Sequence, residues 1–409
     1  MTTVSHAARI DAVASVGGLL MPLQFAAGFF FAFRVCIVYL AFQFNPALGG
    51  EFILLLSGLL FVAGILYTLG DSEFSAALLF RSPILRWLAA YLALSGASLL
   101  WTQAESTLVA TVYWTGMMIE VATVPLLAKG RDLKQQIDAM LQGFVVGACV
   151  VASIAWLSPT LPDMRIGHED YLVPNLVGLY CALAFFLAQH LASVSRTRVW
   201  RWCSIGLALA LLRTISKTSI IAFLIAETFY LLREKQISTA TKIKIAAGAA
   251  VAVVVFWSIL SGYFTMYEND SGNAAETLTG RTAIWAVAFS MSLEHPWIGH
   301  GLYSFRALMP AFGAFQPWHA HNELLQQFFE FGLLGVAVTI GAYLALFRSG
   351  RRSRERSDGK LAWVLAIFCA IRGFADTANF GLSLPLWLFA ALALALTQQP
   401  PEAPEVTAS

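Results

Sequence analysis

The chain has 409 residues, 58% of them hydrophobic and 12% charged, where ordinary soluble domains carry about 25% charged residues. A water-soluble enzyme is excluded on that ground, and the formal net charge of +2 gives no reason to expect a nucleic-acid partner. A bilayer core of about 30 Å requires roughly 20 apolar residues per helical crossing.

Runs of this kind, bounded by charge, Pro or Gly, recur along the whole chain. Spans are expected at 25–44, 52–69, 83–101, 108–128, 137–157 and 173–191, then at 200–212, 218–232, 243–264, 324–347, 361–375 and 380–396. The expected fold class is all-α: a polytopic membrane protein of about 12 transmembrane helices. No basic n-region or A-x-A site accompanies the first apolar run, so the first span is expected to be retained. Lys and Arg fix the orientation, because cytoplasmic loops retain them during insertion. With the N-terminus inside, 19 of the 26 basic residues fall on the cytoplasmic side, including the run from Arg348 to Lys360. Both termini are then cytoplasmic.

The expected organisation is an N-terminal transmembrane region at 1–264, a large outer loop at 265–321, a C-terminal transmembrane region at 322–397 and a cytoplasmic tail at 398–409. The smaller outer loop at 158–172 contains His168, Glu169 and Asp170, which read as hydrated loop residues or as the rim of an entrance. Residues 279–295 have the pattern of an amphipathic helix lying on the membrane surface, with Ile284, Trp285, Ala288 and Phe289 on one side. The five cysteines lie in or beside spans, without the spacing of a zinc or redox site.

The spans on either side of Arg213 and Lys217 are short, so these cations are expected at or just below the outer membrane surface, where an anionic ligand would compensate them. Snorkelling to headgroups is the alternative. Arg34 and Glu120 lie inside spans and read either as functional groups or as partners of one another. Arg372 has Asp376 four residues on, the spacing of a helical ion pair.

The richest run is His319-Ala320-His321-Asn322-Glu323, leading through Glu330 to Gly332-Leu333-Leu334-Gly335. His-Asn, nine residues, then Gly-x-x-Gly is similar to the signature of the O-antigen ligase and polymerase superfamily, carried here by His321, Asn322, Gly332 and Gly335. Gly280-Arg281 with Trp285, and the run from Pro296 to Gly301, resemble the blocks that precede that signature. Ser216-Lys217-Thr218 resembles a further element, with Lys where many relatives have Arg, and an ammonium lacks the bidentate fork of a guanidinium.

The resemblance implies a GT-C-like glycosyltransferase of the bacterial inner membrane with a periplasmic active site. It would use no cofactor and no metal. The implied donor is an undecaprenyl-pyrophosphate-linked O-antigen, and the implied acceptor is lipid A-core, with membrane lipids around both. His321 is then the general base, at a helix N-terminus whose positive potential suits a proton acceptor. Arg281, Lys217 and Arg213 would hold the pyrophosphate, with His319, Asn322, Arg34 and Arg372 as secondary candidates. From the residues alone, His321 and Asn322 also read as helix-capping or interfacial groups, Arg281 as a solvated cation, and Gly332 and Gly335 as helix-packing positions. One long outer loop favours a ligase over a polymerase. A lipid-linked sugar transporter is the rival of another class, although the two halves show no internal repeat.

Overall fold

The computed structural model describes residues 21–69, 81–130, 132–159, 161, 165–195, 197–233, 238–244, 247, 278–312, 316–377 and 385–397. Its helices are α1 (Pro22–Ala41), α2 (Pro46–Leu69), α3 (Pro83–Ala97), α4 (Thr107–Leu127), α5 (Leu133–Leu157), α6 (Pro174–Ser195) and α7 (Arg198–Thr214). After these come α8 (Lys217–Arg233), α9 (Leu278–Ser292), α10 (Phe305–Leu308), α11 (Glu323–Arg352), α12 (Ser357–Gly373) and α13 (Pro385–Thr397). Each expected span coincides with one of these helices, except that at 243–264, which lies almost wholly outside the described residues. Among the described residues, seven helices are long and apolar enough to cross a bilayer: α1 to α6 and α11, with α3 continued by a short turn to Leu100. The protein is an all-α polytopic membrane protein.

Local chemistry explains where the helices begin and how closely they pack. Proline opens α1, α2, α3, α6 and α13, a position where its missing N–H would have had no helical partner. Asn322 caps α11, its Oδ1 accepting from Leu325 N at 3.0 Å. Gly28 and Gly143 let α1 and α5 approach until each faces a backbone carbonyl of the other helix, with no room for a methyl group. Arg34 and Glu120 join α1 to α4 through two buried hydrogen bonds of 2.9 and 3.1 Å. The five cysteines are free thiols.

The junctions expected outside the cytoplasm share one end of the bundle. Gln103 N donates to His300 O at 2.9 Å, and Thr102 Oγ1 donates to Leu302 O at 2.6 Å. Arg372 Nε donates to Ser219 Oγ at 3.3 Å, joining the end of α12 to the α7–α8 hairpin. Groups expected to be cytoplasmic meet at the other end, where Lys134 Nζ lies 2.8 Å from Asp358 and 3.4 Å from Asp138. The smaller loop packs on the α1–α2 junction through Tyr171 Oη, which donates to Gln43 O at 2.9 Å, while Glu169 and Asp170 are exposed.

Two expectations change. The span at 324–347 is interrupted at Gly332, whose φ of 63° and ψ of −158° break α11 into two segments. The run 296–301 docks at the break: His300 N and Gly301 N donate to Phe329 O and Glu330 O at 2.9 and 2.8 Å, and Leu333 N donates to Pro296 O at 2.8 Å. Backbone groups freed by the break are thus paired within the protein, as a low-dielectric setting requires. Gly332 is more than a packing position, because a side chain there would require left-handed backbone and would meet the backbone of Trp297. The amphipathic helix also differs from expectation. α9 is docked on the first segment of α11, with Ile284 and Ala288 buried in a small core with Phe305, Met309, Ala320 and Phe329, and Phe289 is exposed.

Candidate active site

The site is built at the end of the bundle where α11 begins and α12 ends. The Ala320 peptide is fixed from both sides: its N–H donates to Gln326 Oε1 at 2.7 Å, and its carbonyl accepts from Trp285 Nε1 at 2.8 Å. His321 follows with a φ of 50°, left-handed backbone that is uncommon for a non-glycine residue and less so for histidine than for most. Asn322 caps α11 and also donates through Nδ2 to Phe374 O at 3.0 Å, tying the start of α11 to the turn beyond α12.

That turn carries Asp376. Its Oδ1 is 3.8 Å from His321 Nδ1 and accepts from Thr377 N at 2.9 Å, while its Oδ2 accepts from Arg372 Nη2 at 2.6 Å. His319 completes the group. Its Nδ1 accepts from His321 N at 3.2 Å and lies 3.0 Å from Thr377 Oγ1. A backbone N–H can only donate, so Nδ1 is an acceptor and the proton of the neutral ring sits on Nε2. The two imidazole centroids are 4.0 Å apart.

The electrostatics are those of a cationic pocket with one anchored carboxylate. Burial, reinforced by His321 and by Arg281 and Arg372 and opposed by Asp376, pushes His319 down to about 3, so its ring is neutral. Burial alone would raise Asp376, but Arg372 and the two histidines hold it well below the usual carboxylate range. Arg281 is 8% exposed. Its Nη1 donates to Ala375 O at 2.6 Å, one residue from Asp376, and its Nε is buried without a hydrogen-bond partner. The solvated reading of Arg281, the alternative to its expected place on the pyrophosphate, does not hold: the guanidinium is buried against that carbonyl.

His321, His319, Asn322, Arg281 and Arg372 are therefore gathered from segments far apart in the chain. Lys217 opens α8 two residues before Ser219, which Arg372 contacts, and Arg213 lies in the last turn of α7. The hairpin thus reaches the site through α8. Arg34 is engaged by Glu120 between α1 and α4. Sequence reasoning treated Asp376 as a partner of Arg372, which it is, and missed its second face toward His321; it also missed Thr377. A carboxylate beside an Arg at the outer end of a short span was the available signal.

His319, His321 and Asp376 offer ligand atoms within 4.8 Å of one another, close enough to hold a metal ion. Asp376 is already held by Arg372, and Arg281 acts on His319. These guanidiniums repel a cation and favour an anionic ligand.

A helical membrane bundle that gathers a histidine–carboxylate pair among guanidiniums at one end defines the class: an integral membrane protein with a polar, cation-rich cluster at that end. Residues 202–340 match the family model described as O-Antigen ligase. Over that stretch the chain is similar to the O-antigen ligase family, whose members are glycosyltransferase-like enzymes. The matched region contains Arg213, Lys217, Arg281 and His321, and it ends before Arg372 and Asp376. A search among curated proteins finds no match.

Proposed function

We propose that this protein is an O-antigen ligase of the bacterial inner membrane, transferring a glycan from undecaprenyl pyrophosphate to a sugar hydroxyl of lipid A-core at the periplasmic face. The observation carrying this reading is the His321–Asp376 pair beside Arg281 and Arg372, and it is supported by the likeness of residues 202–340, which include His321 and Arg281, to the ligase family. Asp376 Oδ1 faces His321 Nδ1 at 3.8 Å, close enough to draw in to a hydrogen bond when substrate binds, and this leaves Nε2 to take the proton of the acceptor hydroxyl. The hydroxyl oxygen attacks the anomeric carbon of the first sugar, forming a new glycosidic bond with inversion. The bond from that carbon to the pyrophosphate oxygen breaks, and its electron pair leaves with the pyrophosphate. Arg281, Lys217 and Arg213 stabilise the charge that develops there. His319, neutral and carrying its proton on Nε2, serves as a hydrogen-bond donor to a substrate oxygen. No metal is required in this scheme.

The test is transfer in detergent by purified wild-type protein and His321→Ala, supplied with undecaprenyl-pyrophosphate glycan and lipid A-core in the presence of EDTA. Glycan joined to lipid A-core by the wild type alone is the expected result. Elongation of the glycan on its original carrier would identify a polymerase, and covalently unchanged substrates would overturn glycosyl transfer.

A further inference from the structure

We infer that the groove between α11 and α12 receives the polyprenyl chain of the donor. This rests on reading the donor as a polyprenyl pyrophosphate. The two helices touch closely at both ends: a methyl group on Gly373 would lie 3.1 Å from Glu323 Cβ, and one on Gly350 would lie 2.9 Å from Gly359 O. Between these contacts they part around a cavity of about 350 Å³, lined by Ile340, Leu344 and Phe347 of α11 and by Ile367, Ala370 and Ile371 of α12. The lining recurs at helical spacing, and from Ala366 to Phe374 it runs about 12 Å at 1.5 Å per residue.

Three features favour this occupant. The walls are apolar along their length, and Glu323 lies at the end nearest the site. Ile340, Leu344 and Phe374 are exposed, so the cavity opens sideways toward the bilayer, where a lipid chain can enter. Just beyond Phe374, the carbonyls of Phe374 and Ala375 hold Asn322 and Arg281. A chain lying in the groove therefore has its polar end beside Arg281 and His321. The narrow space between two helices suits one chain, whereas an acceptor lipid with several acyl chains would leave most of them outside.

Ile367→Trp and Ala370→Trp fill the groove without touching the site. Each is assayed with two donors bearing the same glycan, one on the full undecaprenyl chain and one with a methyl group in place of the isoprenoid, too short to enter the groove. KM for the long donor rises about tenfold, equivalent to excluding roughly two methylene groups, while kcat/KM for the short donor is unchanged. Equal effects on both donors, or none on either, overturn the assignment. An independent arm places a photoreactive benzoylphenylalanine at Ile371 and offers labelled undecaprenyl pyrophosphate without a glycan. Crosslinking competed by unlabelled undecaprenyl pyrophosphate and not by phosphatidylglycerol supports the groove even if no transfer is found. Equal competition by the phospholipid means that bulk lipid fills it, and the inference falls.

Discussion

His321 Nδ1 faces Asp376 Oδ1 at 3.8 Å, and the second oxygen of that carboxylate is held by Arg372 at 2.6 Å. One oxygen of the carboxylate is thus fixed by a guanidinium while the other faces the imidazole, whose buried Nδ1 has no hydrogen-bond partner, so a small approach would orient the ring. Asp376→Asn keeps the shape and removes the charge. We expect kcat to fall by roughly 10²- to 10⁴-fold, the range of general-base assistance, with a much smaller change in KM for the donor. Steady-state transfer kinetics would separate the two, and an unchanged kcat would remove Asp376 from any positioning role.

His319 provides a pH signature. Burial holds it near 3 in the folded protein, against the usual 6.5. Between those values the unfolded chain binds a proton that the folded chain does not, so stability falls as pH falls through that window. The depressed Asp376 acts in the same direction at its lower end. His319→Gln retains an acceptor and a donor and cannot be protonated. Melting temperature followed in detergent from pH 7 downward should fall less steeply for this variant than for the wild type; parallel curves would refute the burial argument.

Gly332→Ala places a Cβ on a backbone of φ 63° and ψ −158° that is almost exclusive to glycine, which costs roughly 1–3 kcal/mol, and sets it against the backbone of Trp297. We expect a drop of several degrees in melting temperature together with loss of transfer. Gly206→Ala on α7 is the control, since a Cβ there meets open space. If the two variants melted alike, the break in α11 would not be held by the docked loop.

Removing one partner of the Arg34–Glu120 pair takes away the counter-charge of a buried ion. Glu120→Ala should therefore destabilise by about 3–5 kcal/mol, whereas Arg34→Met combined with Glu120→Leu should recover much of the loss. Thermal unfolding of the single and double variants tests this. Preserved kcat in the double variant would place Arg34 outside the reaction; a large fall would put it back among the candidates.

The spans were legible because hydropathy and basic flanks act locally, and Asn322 was readable as a cap from its place before an apolar run. His321 and Arg281 were legible through the resemblance. The Asp376–His321 contact was not, because it joins residues on two helices and depends on where α12 stops. Nor was the interior position of Arg281, whose partner is a backbone carbonyl without a sequence signature. The break at Gly332 was hidden for a related reason: a glycine in an apolar run looks the same whether it admits a neighbouring helix or turns the chain out of its own.

The left-handed backbone at His321 sets what selection can achieve at that position. Gly adopts a φ of 50° without the Cβ penalty that histidine carries, so a library sorted for thermal survival alone should enrich it at 321. Sorting for glycan transfer should restore histidine. The two screens pull one codon in opposite directions, and the distance between their winners measures how far this fold trades durability for reactivity.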